Sequence, residues 1–87
     1  MVHEILDKLK SAVIKGEEED AASLTKQALD HKIAPPDIVT HGLSAGMKIV
    51  GEKFESGEFF LSDMLVAADA FYAGYKLVLP HLGKERK

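Results

Sequence analysis

Residues 61–79, LSDMLVAADAFYAGYKLVL, constrain this chain more than any other stretch. Leu61, Leu65, Ala68, Tyr72, Tyr75 and Leu79 recur at alternating steps of four and three residues. That rhythm predicts a helix from about Leu61 to Leu79, ended by Pro80, whose stripe would suffice to close a four-helix bundle. Met64, Ala67, Phe71, Gly74 and Val78 form a second apolar stripe beside the first. A helix that is apolar around most of its circumference is normally buried by its neighbours. The chain has 87 residues, so it forms one domain with a thin core, and the other segments must supply those neighbours.

They read as helices too. From Val2 to about Lys15, apolar positions Ile5, Leu6, Leu9, Ala12 and Val13 alternate with charge, and Gly16 is a stop signal. A second helix starts within EEEDAA, where acidic side chains face the positive end of the helix dipole, and ends near His31–Lys32. Its apolar stripe is Ala21, Leu24, Ala28 and Leu29. The APPD break precedes a third helix from about Pro36 to Glu55, with Val39, Leu43, Met47, Val50 and Phe54 on one face. Gly42 and Gly46 lie beside that stripe; each lowers helix stability by about 1 kcal/mol, so close approach of another backbone is expected there. No alternating β-branched run competes, and the prediction is an all-α four-helix bundle with short connections.

The segment VGEKFESGEFFLSDML, residues 50–65, then poses a problem of excess. It reads as a helix end, a turn at Gly57 and a helix start, and it crowds Phe54, Phe59, Phe60, Leu61, Met64 and Leu65 together. With the second stripe of the last helix, this exceeds what a small bundle can bury. The surplus requires a cover: a second copy, another domain, or a flat apolar ligand.

Several functions are disfavoured. A net charge of −3 with dispersed basic residues argues against nucleic acid as partner, and Asp63, Asp69 and Lys76 argue against a membrane span. There is no cysteine, which rules out disulfides and thiolate metal sites and fits a cytoplasmic location. The start MVHEILDKLK mixes charged and apolar residues, so no secretory leader is expected. Of the four histidines, His3, His31, His41 and His81, none follows a Glu by three residues, so no metal site is expected. No serine sits in a nucleophile elbow and no glycine loop follows a strand. The chain is not expected to be an enzyme by itself.

The stretch ALDHKIAPPDIVTHGLSAGMKIVGEKFESGEFFLSDMLVAADA, with VLPHL after it, resembles the helical N-terminal cap of corrinoid methyl-carrier proteins of methanol and methylamine methyltransferase systems. It is also similar to the cap of cobalamin-dependent methionine synthase. Gly42, Leu43, Gly46, Met47, Val50, Gly51, Phe54, Gly57, Phe60, Leu61, Met64, Leu65, Ala67 and Ala68 match the family pattern in type and spacing. The resemblance implies a cobalamin cap-type bundle of up-down helices that roofs the upper face of the corrin, with Phe54, Leu61, Met64 and Leu65 against the cofactor. It implies two partners, a cobalamin-binding α/β domain and a substrate-specific methyltransferase. Residues 1–82 would form the cap and 83–87 the start of a linker. Two positions depart from the family: Ser62 replaces its usual proline, and its cobalt-ligating Asp-x-His-x-x-Gly motif is absent. The cap is therefore expected to cover cobalamin but not to retain it alone. The alternative is a stand-alone homodimerisation domain that uses the last helix and binds no cofactor.

Overall fold

The computed structural model describes residues 2–85. It contains α1 (Val2–Lys15), α2 (Glu18–Asp30), α3 (Pro35–Ile38), a π-helical turn (Val39–Leu43), α4 (Ser44–Glu55) and α5 (Leu61–Glu85). The π turn joins α3 and α4 into one rod, so the architecture is the expected up-down bundle of four helical rods. Among the described residues there is no strand.

Both prolines of the APPD break lie in the first turn of α3, after Ala34 at the N-cap, where a missing N–H leaves nothing unpaired. The ends of α1, α2 and α4 share one solution. In each, the residue after the C-cap adopts a positive φ, at Gly16, Lys32 and Gly57. Paired backbone bonds then close the end, as Gly16 N–H to the Val13 carbonyl (3.0 Å) and Glu17 N–H to Ala12 (2.9 Å) do after α1. These are Schellman closures, which satisfy carbonyls that the helix leaves open.

Leu6, Leu9, Ala12 and Val13 of α1, Ala21 and Ala28 of α2, and Leu43, Ala70 and Val78 form the core with Ile33 and Ile38. Ile38 escapes a simple helical stripe. The π turn inserts one residue, so Ile38 and Leu43, five apart, both end fully buried. Thr25 is the buried polar residue, and its hydroxyl donates to the Ala21 carbonyl at 2.7 Å. The glycine ridge does what was expected of it. A Cβ on Gly42 would meet Leu9 Cδ2 at 2.8 Å, and one on Gly46 would meet Val13 Cβ at 2.9 Å and the Lys10 carbonyl at 3.0 Å. The α1 backbone thus comes close at Gly46, while leucine side chains of α1 fill the space beside Gly42.

Two expectations about α5 are corrected. Of the expected stripe, Leu61, Leu65, Tyr72 and Leu79 are exposed and Ala68 and Tyr75 half-buried; the bundle is closed instead by the small-residue face of Ala67, Ala70, Gly74 and Val78, which is buried. The reason is distance. A Cβ on Gly74 would lie 2.6 Å from Thr25 Oγ1 and 2.8 Å from Leu43 Cδ2, and larger side chains could not enter so narrow a gap. Nor does Pro80 end the helix, which runs through it to Glu85. Pro80 and Lys76 are exposed, so the Lys76 carbonyl that loses its helical donor can turn to water. Leu82, two residues beyond, packs against the core and holds the helix on the bundle.

Candidate functional site

The turn between α4 and α5 is short, and each backbone N–H from Ser56 to Phe60 is engaged. Gly57, at φ +87°, takes the left-handed conformation that favours a residue without Cβ. Its N–H donates to the Phe54 carbonyl at 3.1 Å, and Glu58 N–H donates to Lys53 at 2.9 Å. Phe59 N–H also reaches the Lys53 carbonyl, at 3.0 Å, as does the Ser56 hydroxyl, at the same distance. The Lys53 ammonium pairs with the Glu58 carboxylate at 3.2 Å and lies 5.6 Å from the centre of the Phe59 ring. At the start of α5, the Asp63 carboxylate accepts the Phe60 N–H at 2.9 Å. This is the reciprocal half of a capping box, with Asp63 three residues into the helix.

The turn is therefore held by its own bonds and does not need its aromatic residues for a core. It presents them outward. Phe54 is 42% exposed, Phe60 72% and Leu61 62%. Leu65 is also exposed, and Met64 is half-buried. All four residues expected to face a cofactor are thus open to the outside in some degree. Gly51, one turn before Phe54, adds to this face. A Cβ there would meet nothing within 4 Å, so the fold itself gives no reason for the glycine. Sequence reasoning placed Gly51 in the family pattern without seeing that it stands beside open space.

The face can cover a flat apolar surface, but it has little to coordinate with. Its charged neighbours, Lys53, Glu58 and Asp63, are committed to the turn. His31, His41 and His81 are exposed on separate elements, and among the described residues no group of three His, Cys, Asp or Glu side chains could hold a metal. Grooves elsewhere mix charged and apolar walls. One between α1 and α2 is lined by residues such as Asp7, Ser11, Lys15 and Asp20, and another by Asp7, Lys10, Asp37 and His41 with Leu6 and Ile33. Phe54, Leu61, Met64 and Leu65 line neither, so they form a ledge and not an enclosing pocket. No described helix is long and apolar enough to cross a membrane.

Comparison with known proteins bears on what the ledge covers. Residues 5–78 match the family model described as B12 binding domain. The chain is 45% identical over 83 residues to monomethylamine corrinoid protein 1 of Methanosarcina acetivorans, across 95% of its own length. It is 39% identical over 83 residues to trimethylamine corrinoid protein 1 of the same organism. In each case it spans only 38% of the relative's length. It also superimposes on the solved monomethylamine corrinoid protein of Methanosarcina barkeri, with a TM-score of 0.88 and 39% identity, covering 91% of this chain and 37% of that one.

Proposed function

Because this chain belongs to the B12 binding domain family, we propose that it is the helical cap of a corrinoid methyl carrier, with Phe54, Leu61, Met64 and Leu65 laid over the upper face of the corrin. When bound, the corrin supplies the cobalt that carries a methyl group. The chain's own side chains do the rest. Phe54 and Leu61 exclude water from that face, Met64 fills the space beneath them with a deformable thioether, and Leu65 extends the wall along α5. Protein and cofactor divide the labour in the usual way: the polypeptide orients and shields, and the cofactor performs the chemistry.

The observation that carries this reading is the exposure of Phe54 and Leu61 on a turn closed by its own backbone hydrogen bonds. The partners follow from the same argument. A ledge without ligating groups requires a cobalamin-binding α/β domain to retain the cofactor, and a substrate-specific methyltransferase to deliver the methyl group. The similarity to monomethylamine and trimethylamine corrinoid proteins supports a methylamine as donor. Residues 83–87 would lead toward the α/β domain, and the cap itself would catalyse nothing.

The test is photolysis of methylcobalamin bound to a carrier α/β domain, with and without this chain. The cap should slow photolysis, and Phe54→Ala or Leu61→Ala should each return the rate most of the way to that of the uncapped domain. Full protection retained by both variants would place the roof elsewhere.

A further inference from the structure

Beyond the ledge, the outer face of α5 continues as a second surface. Leu65, Tyr72 and Leu79 stand in line at intervals of seven residues, all exposed, with Tyr72 62% accessible. Ala68, Tyr75 and Leu82 run beside them, half-buried. Together they make the alternating three-and-four seam by which one helix receives another. The bundle leaves the Leu65–Tyr72–Leu79 edge of this seam uncovered, while Tyr75 and Leu82 on its inner edge pack against the core.

Charge decides what fits the seam. Asp69 and Lys76 flank Tyr72 on its outer side, and with Glu18, Tyr72 and Ala73 they line one shallow groove. Seven residues of helix separate the two charges by about 10 Å, too far for them to pair with each other. Neither forms an ion pair among the described residues. A second α5 laid antiparallel across this face, about a two-fold axis passing between Tyr72 and Ala73, satisfies both. Asp69 of each copy then faces Lys76 of the other, Leu65 lies opposite the Leu79–Pro80 end, and the two Tyr72 rings meet near the axis. A two-fold contact needs a self-complementary patch, and an acid and a base placed evenly about an aromatic centre provide one.

We infer that the outer face of α5 is a homodimer interface in which two copies pair antiparallel through the Leu65–Tyr72–Leu79 seam and reciprocal Asp69–Lys76 ion pairs. The paired segment shares Leu65 with the proposed roof, while Phe54 and Leu61 lie beyond its N-terminal end.

Sedimentation equilibrium of the 87-residue chain tests it. A reversible dimer is expected at about 100 μM, within the range of modest interfaces. Asp69→Lys or Lys76→Asp alone should weaken association roughly tenfold, because each places like charges together twice. The double variant D69K/K76D should recover affinity to within about threefold, because exchanging the two charges restores both pairs only across a two-fold axis. The chain has no cysteine, so Ala73→Cys should give a disulfide-linked dimer on mild oxidation, and Ser23→Cys on the exposed side of α2 should not. Circular dichroism confirms folding of each variant, all at sites outside the core. A monomer at that concentration, or a double variant no tighter than the singles, overturns the proposal. So does a chain that stays monomeric until a carrier α/β domain covers this face. Phe54→Ala should leave the dimer intact, so failure of the roof and failure of the interface are read separately.

Discussion

Gly46 and Gly51 occupy neighbouring turns of α4, yet they answer to different constraints. A Cβ on Gly46 would press on the Lys10 carbonyl and on Val13 Cβ, neither of which can rotate away. Gly46→Ala should therefore destabilise the chain by about 1–3 kcal/mol despite the better helix former. Gly51→Ala meets no such obstacle and should stabilise it by up to about 1 kcal/mol. Denaturant unfolding of both variants checks the pair of signs. A gain at Gly51 would show that the fold does not require this glycine, which is expected if an outside group needs the space beside Phe54. The sequence marked Gly46 for close approach of another backbone and Gly51 only as a position of the family pattern. That α1 is the element which approaches Gly46 is recorded in no local pattern. Thr25 lay outside every apolar stripe read from the sequence, yet its hydroxyl reaches the Ala21 carbonyl and it is wholly buried.

At the scale of elements, α5 departs most from its sequence pattern. Two apolar stripes were legible, but hydrophobicity could not rank them, and the heavier one suggested the core. The narrower face won because α2 and the π turn come within a methyl group's width of Gly74. The start of α5 is better specified. Asp63 caps Phe60 N–H and thereby sets the direction in which Phe60 and Leu61 leave the bundle. Asp63→Ala should lower stability by about 1 kcal/mol, as measured by thermal unfolding, and should also loosen the roof in the photolysis assay. Asp63→Asn keeps an acceptor at that position and should retain most of both.

For the whole molecule, folding and covering are separable tasks. Leu61 and Leu65 are largely outside the core, so replacing either with alanine should change unfolding free energy by no more than about 0.5 kcal/mol. The loss of protection predicted for Leu61→Ala would then be a loss of function in a folded protein, and calorimetry on the same sample distinguishes the two. The sequence by itself determined the helix count, the break at the prolines, the turn at Gly57 and the cofactor class, because these rest on local periodicity, on the backbone limits of proline and glycine, and on a motif of many fixed spacings. Only the tertiary structure decided which face of α5 turns inward, that Ile38 joins the core through a π turn, and that α5 continues past Pro80. Each of these depends on how near two backbones approach or on what lies across from a side chain. Such distances are set by the packing of all four rods together and by no single stretch of residues.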